Sequence, residues 1–155
     1  MATIDLPNNI LEALSTVLQQ LQQSLPEVKQ APDFSAIAFK WENGELKAIH
    51  QLKRIELNDL KGIERQKEKV LQNTEQFLNG LPANDVLLTG SRGTGKSSIV
   101  RALLTEYAEQ GLRLIEIERD DLSELPEIQK LIAERPEKFI VYCDDLAFNA
   151  EDENY

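Results

Sequence analysis

Apolar residues recur at helical spacing through the first part of the chain, and glutamines surround them. This pattern predicts an amphipathic helix over residues 7–25, with Pro7 in its first turn and Pro26 directly after it. Its apolar stripe has two open roles, which are packing on the rest of the chain and docking of a partner helix. The stripe consists of Ile10, Leu14, Val17, Leu18, Leu21 and Leu25.

Two strand-like runs come after a linker that the sequence predicts over residues 27–33. The runs span residues 34–41 and 46–50, and the segment between them contains Asn43-Gly44. Asn-Gly between two such runs is a strong signal for a β-hairpin. The sequence therefore predicts a hairpin at this point.

Helical and strand-like patterns alternate through the remainder of the chain. A mainly helical segment over residues 56–80 is closed by Gly80 and Pro82. Helices that alternate with strands predict an α/β layer with a parallel sheet. The last strand is apolar throughout, which indicates burial on both faces. The further elements are a buried strand over 85–89, a helix over 98–110 stopped by Gly111, a strand over 112–117, a short helix over 126–134 and a strand over 139–143.

Between the strand over 85–89 and the helix that follows, the chain fits the Walker A phosphate-loop pattern G-x-x-x-x-G-K-[ST] at every fixed position. Glycines let backbone N–H groups approach phosphate oxygens, because no Cβ stands in the way. Lys96 would bring its charge to the β- and γ-phosphates, and the Ser97 hydroxyl would complete a Mg²⁺ shell. The alternative is a glycine-rich turn that carries Lys-Ser by chance. The predicted nucleotide-binding residues here are Gly90, Ser91, Arg92, Gly93, Thr94, Gly95, Lys96, Ser97 and Ser98.

The strand over 139–143 runs directly into two acids, Asp144 and Asp145. An apolar strand that ends in an acid is the Walker B arrangement, with which phosphate-loop enzymes hold Mg²⁺ opposite the loop. We therefore predict Ser97 and Asp144 as metal-binding residues, with Asp144 acting through the water shell of the cation. The alternative is a pair of solvated acids that caps the strand.

Composition limits the classes of partner. The chain has 155 residues, of which 41% are hydrophobic, enough for one modest domain. Its net charge of −10 argues against broad attraction to nucleic acid or an anionic membrane, although a local basic patch stays open. The single cysteine, Cys143, excludes an internal disulfide, fits a reducing cytoplasm, and is interpreted as a core thiol rather than a nucleophile. With no signal peptide and no membrane-spanning stretch evident, we expect a cytoplasmic protein.

Several segments of the chain resemble a known family of ATPases. The segment Leu60-Lys61-Gly62-Ile63-Glu64-Arg65-Gln66-Lys67, the phosphate loop, and the run from Phe139 to Asp145 together resemble an AAA+ ATPase module. Residues 81–88, 112–117 and 135–140 further resemble a bacterial family of AAA+-like ATP-binding proteins, known mainly as a domain of unknown function. The resemblance covers roughly residues 55–155.

The resemblance implies a division into residues 1–54, the helix and hairpin region, and residues 55–155, the N-terminal part of an AAA+-like nucleotide-binding domain. It implies Mg²⁺ and ATP as cofactors, with Gly62 and Ile63 beside the adenine ring. It also implies that Asp145 polarises the attacking water, so that Asp145 and Lys96 are the predicted catalytic residues. In the complete protein it implies a homo-oligomeric ring and a protein partner of unknown identity.

Two departures from the family pattern matter. Most AAA+ enzymes have Asp-Glu where this chain has Asp144-Asp145, and the shorter side chain weakens the expectation of hydrolysis. The chain also ends at Tyr155, before the family's sensor-1 strand, arginine finger and helical lid. In that fold the missing strand lies between the strands over 85–89 and 139–143, so we expect open sheet edges there. The alternative is direct pairing of these two strands, as in other phosphate-loop folds.

The sequence thus predicts an α/β fold with a P-loop NTPase-type parallel sheet, its core incomplete, preceded by an N-terminal helix and a β-hairpin. The expected function is ATP binding, with hydrolysis in the complete protein and not by these 155 residues alone. The main alternative is a nucleotide-binding regulatory module with little or no hydrolysis. Two further alternatives are a small kinase and an interaction protein that acts through its N-terminal helix.

Overall fold

The computed structural model describes residues 7–24 and 31–146 of the chain. The chain divides into two compact units, with the boundary between Ala31 and Pro32. In its described part the first unit is one helix, α1 (Asn8–Ser24), which confirms the helix predicted over residues 7–25. The predicted stop at Pro26 and most of the linker predicted over 27–33 lie outside the described residues.

The apolar stripe of α1 is open to solvent where its side chains are described. These residues are exposed by between 41% and 58%. Both roles of the stripe, packing on the chain and docking of a partner helix, therefore stay predictions. The residues concerned are Ile10, Leu14, Val17 and Leu18.

The second unit is built on one mixed sheet, ordered β2-β1-β3-β4. β1 and β2 form the predicted antiparallel hairpin, turning at Asn43 with φ 55° and Gly44 with φ 72°. Both angles lie in the left-handed region that this tight turn requires. β3 pairs in parallel with β1 on one side and with β4 on the other. The strands are β1 (Ala38–Glu42), β2 (Glu45–Ala48), β3 (Leu112–Ile117) and β4 (Lys138–Cys143).

Three helices accompany this sheet in the described part of the second unit. They are α2 (Glu64–Leu78), α3 (Lys96–Tyr107) and α4 (Leu125–Ile132), and short 3-10 turns lie before α2, after α3 and before α4. A mostly parallel sheet with helices is an α/β fold consistent with the P-loop type, as the sequence predicted. The hairpin predicted for the region before residue 55 lies in the same sheet as β3 and β4. Among the described helices, none has the length and apolar character needed to cross a bilayer.

The two faces of β3 belong to two separate clusters of buried side chains, because successive residues of a strand point to opposite faces. Leu112 and Leu114 join the cluster that includes α2 and α3, whereas Ile115 and Ile117 join the cluster that includes α4. The sheet is therefore the middle layer of three. The first cluster consists of Ala38, Val70, Ile99, Val100, Leu103, Leu104, Tyr107, Leu112 and Leu114. The second consists of Ala36, Phe39, Trp41, Leu46, Ile115, Ile117 and Ile128.

The prediction of a strand over residues 85–89 is wrong. This segment has no strand structure, and Val86 and Leu87 are exposed by 48% and 76%. Of the described residues 85–89, Leu88 alone packs on the first cluster. An apolar run becomes a strand when a neighbour satisfies its backbone N–H and C=O groups. Among the described strands β4 pairs with β3 alone, so the direct pairing considered above does not occur.

β4 is less enclosed than its apolar sequence predicted. Val141 is exposed by 38%, so the prediction that both faces of this strand are buried is wrong. Phe139 and Cys143 pack on the second cluster, and Ile140 and Tyr142 pack on the first. Burial, followed by the negative charge of Asp144, raises the pKa of the Cys143 thiol. A raised pKa disfavours the reactive thiolate, which supports the interpretation of a packing residue.

We expect Ile115→Ala to lower the free energy of unfolding by about 3 kcal/mol, because this fully buried side chain lies in the central strand. Val141→Ala removes two methyl groups from an exposed position of β4 and should cost about 1 kcal/mol or less. Urea denaturation followed by circular dichroism compares both variants with the parent. Equal losses would contradict the central position of β3 in the core.

Candidate phosphate-binding site

The loop that fits the Walker A pattern is closely folded between residues 90 and 97, and two of its glycines are needed for that shape. Gly90 has φ 146°, and a Cβ built on it would lie 3.0 Å from Oγ1 of Thr94. Gly95, the residue directly before α3, has φ 89° and is in the left-handed conformation. A larger residue at either position would be strained. The helix starts at Lys96, two residues before the predicted start at Ser98.

Hydrogen bonds inside the loop hold its curvature. Oγ1 of Thr94 donates to the Ser91 carbonyl at 2.8 Å. Nζ of Lys96 donates to the carbonyls of Gly90 at 2.9 Å and Ser91 at 3.1 Å. An ammonium group has three N–H donors, so these bonds leave one for a phosphate oxygen. The Lys96 side chain therefore folds back over the loop, where it could contact a bound phosphate.

The N-terminus of α3 adds a second attraction for an anion. The first backbone N–H groups of a helix have no partner within it, and its dipole places partial positive charge there. Lys96, Ser97 and Ser98 form this first turn. A helix N-terminus joined to a glycine-rich loop is the arrangement that binds phosphate in P-loop proteins.

Asp144 connects the end of β4 to the phosphate loop. Oγ of Ser97 donates to Oδ2 of Asp144 at 2.8 Å, although the two residues are 47 positions apart. The backbone N–H of Asp145 donates to Oδ1 of the same carboxylate at 3.0 Å. Burial opposes ionisation, but the hydrogen bonds from Ser97, Tyr142 and Asp145 outweigh it, aided by the charge of Lys96, and lower the pKa of Asp144. The carboxylate is therefore ionised at neutral pH.

Asp145 has an unusual backbone conformation at the same edge. Its φ is 50°, in the left-handed region that few residues other than glycine adopt. Its side chain is exposed and borders the space in front of the loop. The structure thus places Asp145 beside Asp144, while its predicted role in activating water stays a prediction.

Tyr142 is a site residue that the sequence analysis did not predict. Its hydroxyl donates to Oγ of Ser97 at 3.1 Å. Burial, followed by the carboxylate of Asp144, raises its pKa to about 12, although the bond to Ser97 acts in the opposite direction. The phenol is therefore protonated at neutral pH and available as a donor. The only signal in the sequence is a hydroxyl-bearing side chain two residues before the acid in an otherwise apolar strand.

Two cavities adjoin at Asp144 and Asp145. The one in front of the loop has a volume of about 310 Å³, and its neighbour has a volume of about 520 Å³. The first is lined by Arg92, Gly93, Gly95, Lys96, Ser97, Ser98, Asp144 and Asp145. The second is lined by Lys40, Arg101, Glu116, Ile117, Glu118, Arg119, Asp120, Tyr142, Asp144 and Asp145.

The segment before α2 also reaches the loop. Cδ1 of Ile63 lies 3.7 Å from the position that a Cβ on Gly95 would occupy. Nζ of Lys67 holds the segment by donating to the carbonyls of Leu57 at 2.8 Å and Leu60 at 3.1 Å. The backbone N–H of Gly62 donates to Oε1 of Glu64, in the first turn of α2, at 3.0 Å. Ile63 is thus beside the loop, and contact of Gly62 and Ile63 with adenine stays a prediction.

The donors at this site fit Mg²⁺ bound together with a nucleotide. In the part of the chain that the structure describes, no group of three or more His, Cys, Asp or Glu side chains could hold a metal ion. Mg²⁺ at nucleotide sites needs only one or two protein oxygens, because water and phosphate complete its shell. Oγ of Ser97 and the carboxylate of Asp144 supply that number of oxygens in one place.

Comparison with known proteins gives two matches. A family model described as "Protein of unknown function (DUF815)" matches residues 34–155. A stretch of 52 residues is 36% identical to the Replication factor C large subunit of Methanococcus maripaludis (strain C7 / ATCC BAA-1331), which covers 34% of this chain and 11% of that protein. The chain thus spans only a small part of that relative's length. Solved structures give no significant match.

The family match covers the sheet, the phosphate loop and both acids at the end of β4. Since it extends over most of the sequence, the chain belongs to the family described as "Protein of unknown function (DUF815)".

Proposed function

We propose that this protein binds ATP with Mg²⁺ at the Walker A loop and belongs to the AAA+-like ATPases. The observation that carries the proposal is the 2.8 Å hydrogen bond between Ser97 of the loop and Asp144 at the end of β4. Either motif alone has an ordinary structural explanation. Their convergence at the carboxyl edge of parallel strands, where ligands bind in open α/β sheets, favours a nucleotide site.

Each residue has a defined task in this proposal. Backbone N–H groups from Gly93 to Ser98 donate to phosphate oxygens, and Lys96 adds its charge. Ser97 and Asp144 hold the cation, which when bound neutralises charge on the β- and γ-phosphates. Asp145 polarises water at the mouth of the site. Ile63 provides an apolar surface beside the adenine.

Similarity supports the ATPase class but not a particular task. The stretch of 52 residues that is 36% identical to the Replication factor C large subunit supports our proposal of an AAA+-like ATPase. By the same reasoning we propose a homo-oligomeric ring and a protein partner. The net charge of −10 favours a protein over nucleic acid as that partner.

The second candidate function is a regulatory module that binds ATP and hydrolyses little or none of it. Asp145 favours this candidate, because its side chain is one methylene shorter than the Glu of most AAA+ enzymes. ATP affinity and phosphate release, measured on the same protein, separate the two functions. Tight binding without release would favour the regulatory module.

We expect Lys96→Ala to weaken ATP affinity by about 100-fold, because a charge-assisted contact to phosphate is lost. The core should be unaffected, since Lys96 lies outside both buried clusters, although its two hydrogen bonds to the loop are lost as well. Calorimetric titration with ATP and Mg²⁺ measures the affinity. Lys130→Ala is the control, because it removes an equal charge from α4, where Lys130 pairs with Glu127. Equal affinities for Lys96→Ala and the parent would rule out the proposed phosphate site.

We expect the two acids to separate binding from turnover. Asp144→Asn should weaken Mg²⁺-dependent ATP affinity by about 10-fold, since the carboxylate orients the water shell of the cation. In the complete protein, Asp145→Asn should leave affinity unchanged and lower turnover by about 100-fold, as expected for loss of a general base. Glu109→Gln, which neutralises an exposed acid in the turn after α3, is the control. Turnover at the parent rate in Asp145→Asn would remove Asp145 from the catalytic residues.

A further inference from the structure

The hydroxyl of Ser97 is held by two partners at once. Its O–H donates to Oδ2 of Asp144 at 2.8 Å, and its oxygen accepts from the Tyr142 hydroxyl at 3.1 Å. A serine hydroxyl has one donor and two acceptor lone pairs. The two contacts use the donor and one lone pair, so a single lone pair stays open for a third partner. This arrangement has a direct consequence for cation binding.

We propose that Tyr142 is a positioning residue, which fixes the rotation of the Ser97 hydroxyl so that its remaining lone pair serves the Mg²⁺ that accompanies the nucleotide. The inference rests on the proposed function, because it assigns a role within the same site. Tyr142 itself touches neither nucleotide nor cation in this role. It acts through Ser97 and Asp144.

The position of Tyr142 is suited to this task because a strand sets it. Its backbone lies in β4, paired with Glu116 of β3, and its ring packs on the cluster that includes α3. The hydroxyl therefore reaches Ser97 from a rigid element rather than from a loop.

Without the phenol oxygen, the Ser97 hydroxyl would keep only Asp144 as its partner. A serine hydroxyl rotates freely about its C–O bond unless its environment restrains it. Held by one partner instead of two, the hydroxyl would be restrained less, and its open lone pair would be directed at the cation for a smaller share of the time. The loss should therefore appear in binding that depends on Mg²⁺ and not in binding of ATP alone.

Tyr142→Phe tests the proposal by removing one oxygen while keeping the ring. We expect about 5-fold weaker affinity for ATP with Mg²⁺, the usual consequence of one lost hydrogen bond, and unchanged affinity for ATP in EDTA. Affinity for Mn²⁺ with ATP, measured by electron paramagnetic resonance, should fall by a similar factor. Both readouts are independent of turnover.

Tyr107→Phe is the matched control. The Tyr107 hydroxyl donates to Oε1 of Glu75 at 2.8 Å and joins α3 to α2 at the far end of α3 from the loop. Its loss is the same chemical change, at a tyrosine that packs in the same cluster of buried side chains as Tyr142. We expect a comparable decrease in stability against urea and no change in the Mg²⁺ dependence of ATP binding.

A Ser97→Ala background tests whether Tyr142 acts through Ser97. In that background the further change Tyr142→Phe should have no additional effect on Mg²⁺-dependent affinity, because the hydroxyl to be positioned is absent. An undiminished further loss would overturn the role of Tyr142 as a positioning residue. Equal losses with Mg²⁺ and with EDTA in Tyr142→Phe would overturn it too, as would parent-like affinity in both conditions.

The same titrations distinguish this inference from the proposed function. A parent protein that binds no ATP with Mg²⁺ contradicts the proposed function and the role of Tyr142 together. A parent protein that binds ATP with Mg²⁺, and a Tyr142→Phe variant that binds it equally well, contradict the role of Tyr142 alone.

Discussion

The parallel pairing of β3 with strands on both sides is the constraint on which the rest of the second unit depends. β3 is hydrogen-bonded to β1 and β4, and its residues contribute to both buried clusters. Parallel strands end at the same edge of a sheet, so Asp144 must lie where β3 and β1 also end. α3 packs on one face of that sheet, and this packing directs its N-terminus to the same edge. The candidate site is thus a consequence of the sheet.

Charge at the site imposes a second constraint. A chain with a net charge of −10 repels an anion at long range, so phosphate can bind only through local donors. The loop N–H groups, Lys96 and the start of α3 supply these donors. Asp144 and Asp145, however, border the same cavity and would repel a phosphate group. A divalent cation between the acids and the phosphate turns this repulsion into attraction, which is a physical reason to expect Mg²⁺ with the nucleotide.

Local pattern was sufficient to predict most elements of the fold. The hairpin, β3 and the helix after the loop follow from turn residues and periodicity, and the structure has each of them. The segment over 85–89 has equally apolar residues but forms no strand, because strand formation depends on a neighbour that local sequence does not specify. Tyr142 was missed for a related reason. Its contact joins residues 45 positions apart and exists only once β4 and α3 are placed.

In the described residues, no strand directly precedes the loop. A few side-chain hydrogen bonds therefore hold the loop in its position. Asn73 of α2 fixes Asn84 through two hydrogen bonds, with its Nδ2 donating to the Asn84 carbonyl at 2.8 Å and its Oδ1 accepting from the Asn84 N–H at 2.9 Å. At the other end the loop continues directly into α3. The hydrogen bonds that join the loop to β4 in the described residues come from the side chains of Ser97, Tyr142 and Asp144 rather than from a backbone ladder. A ladder spreads its strength over many bonds, whereas this connection is concentrated in a few oxygens. Loss of one oxygen therefore changes the relation between the loop and the acid directly, with no neighbouring pair to compensate.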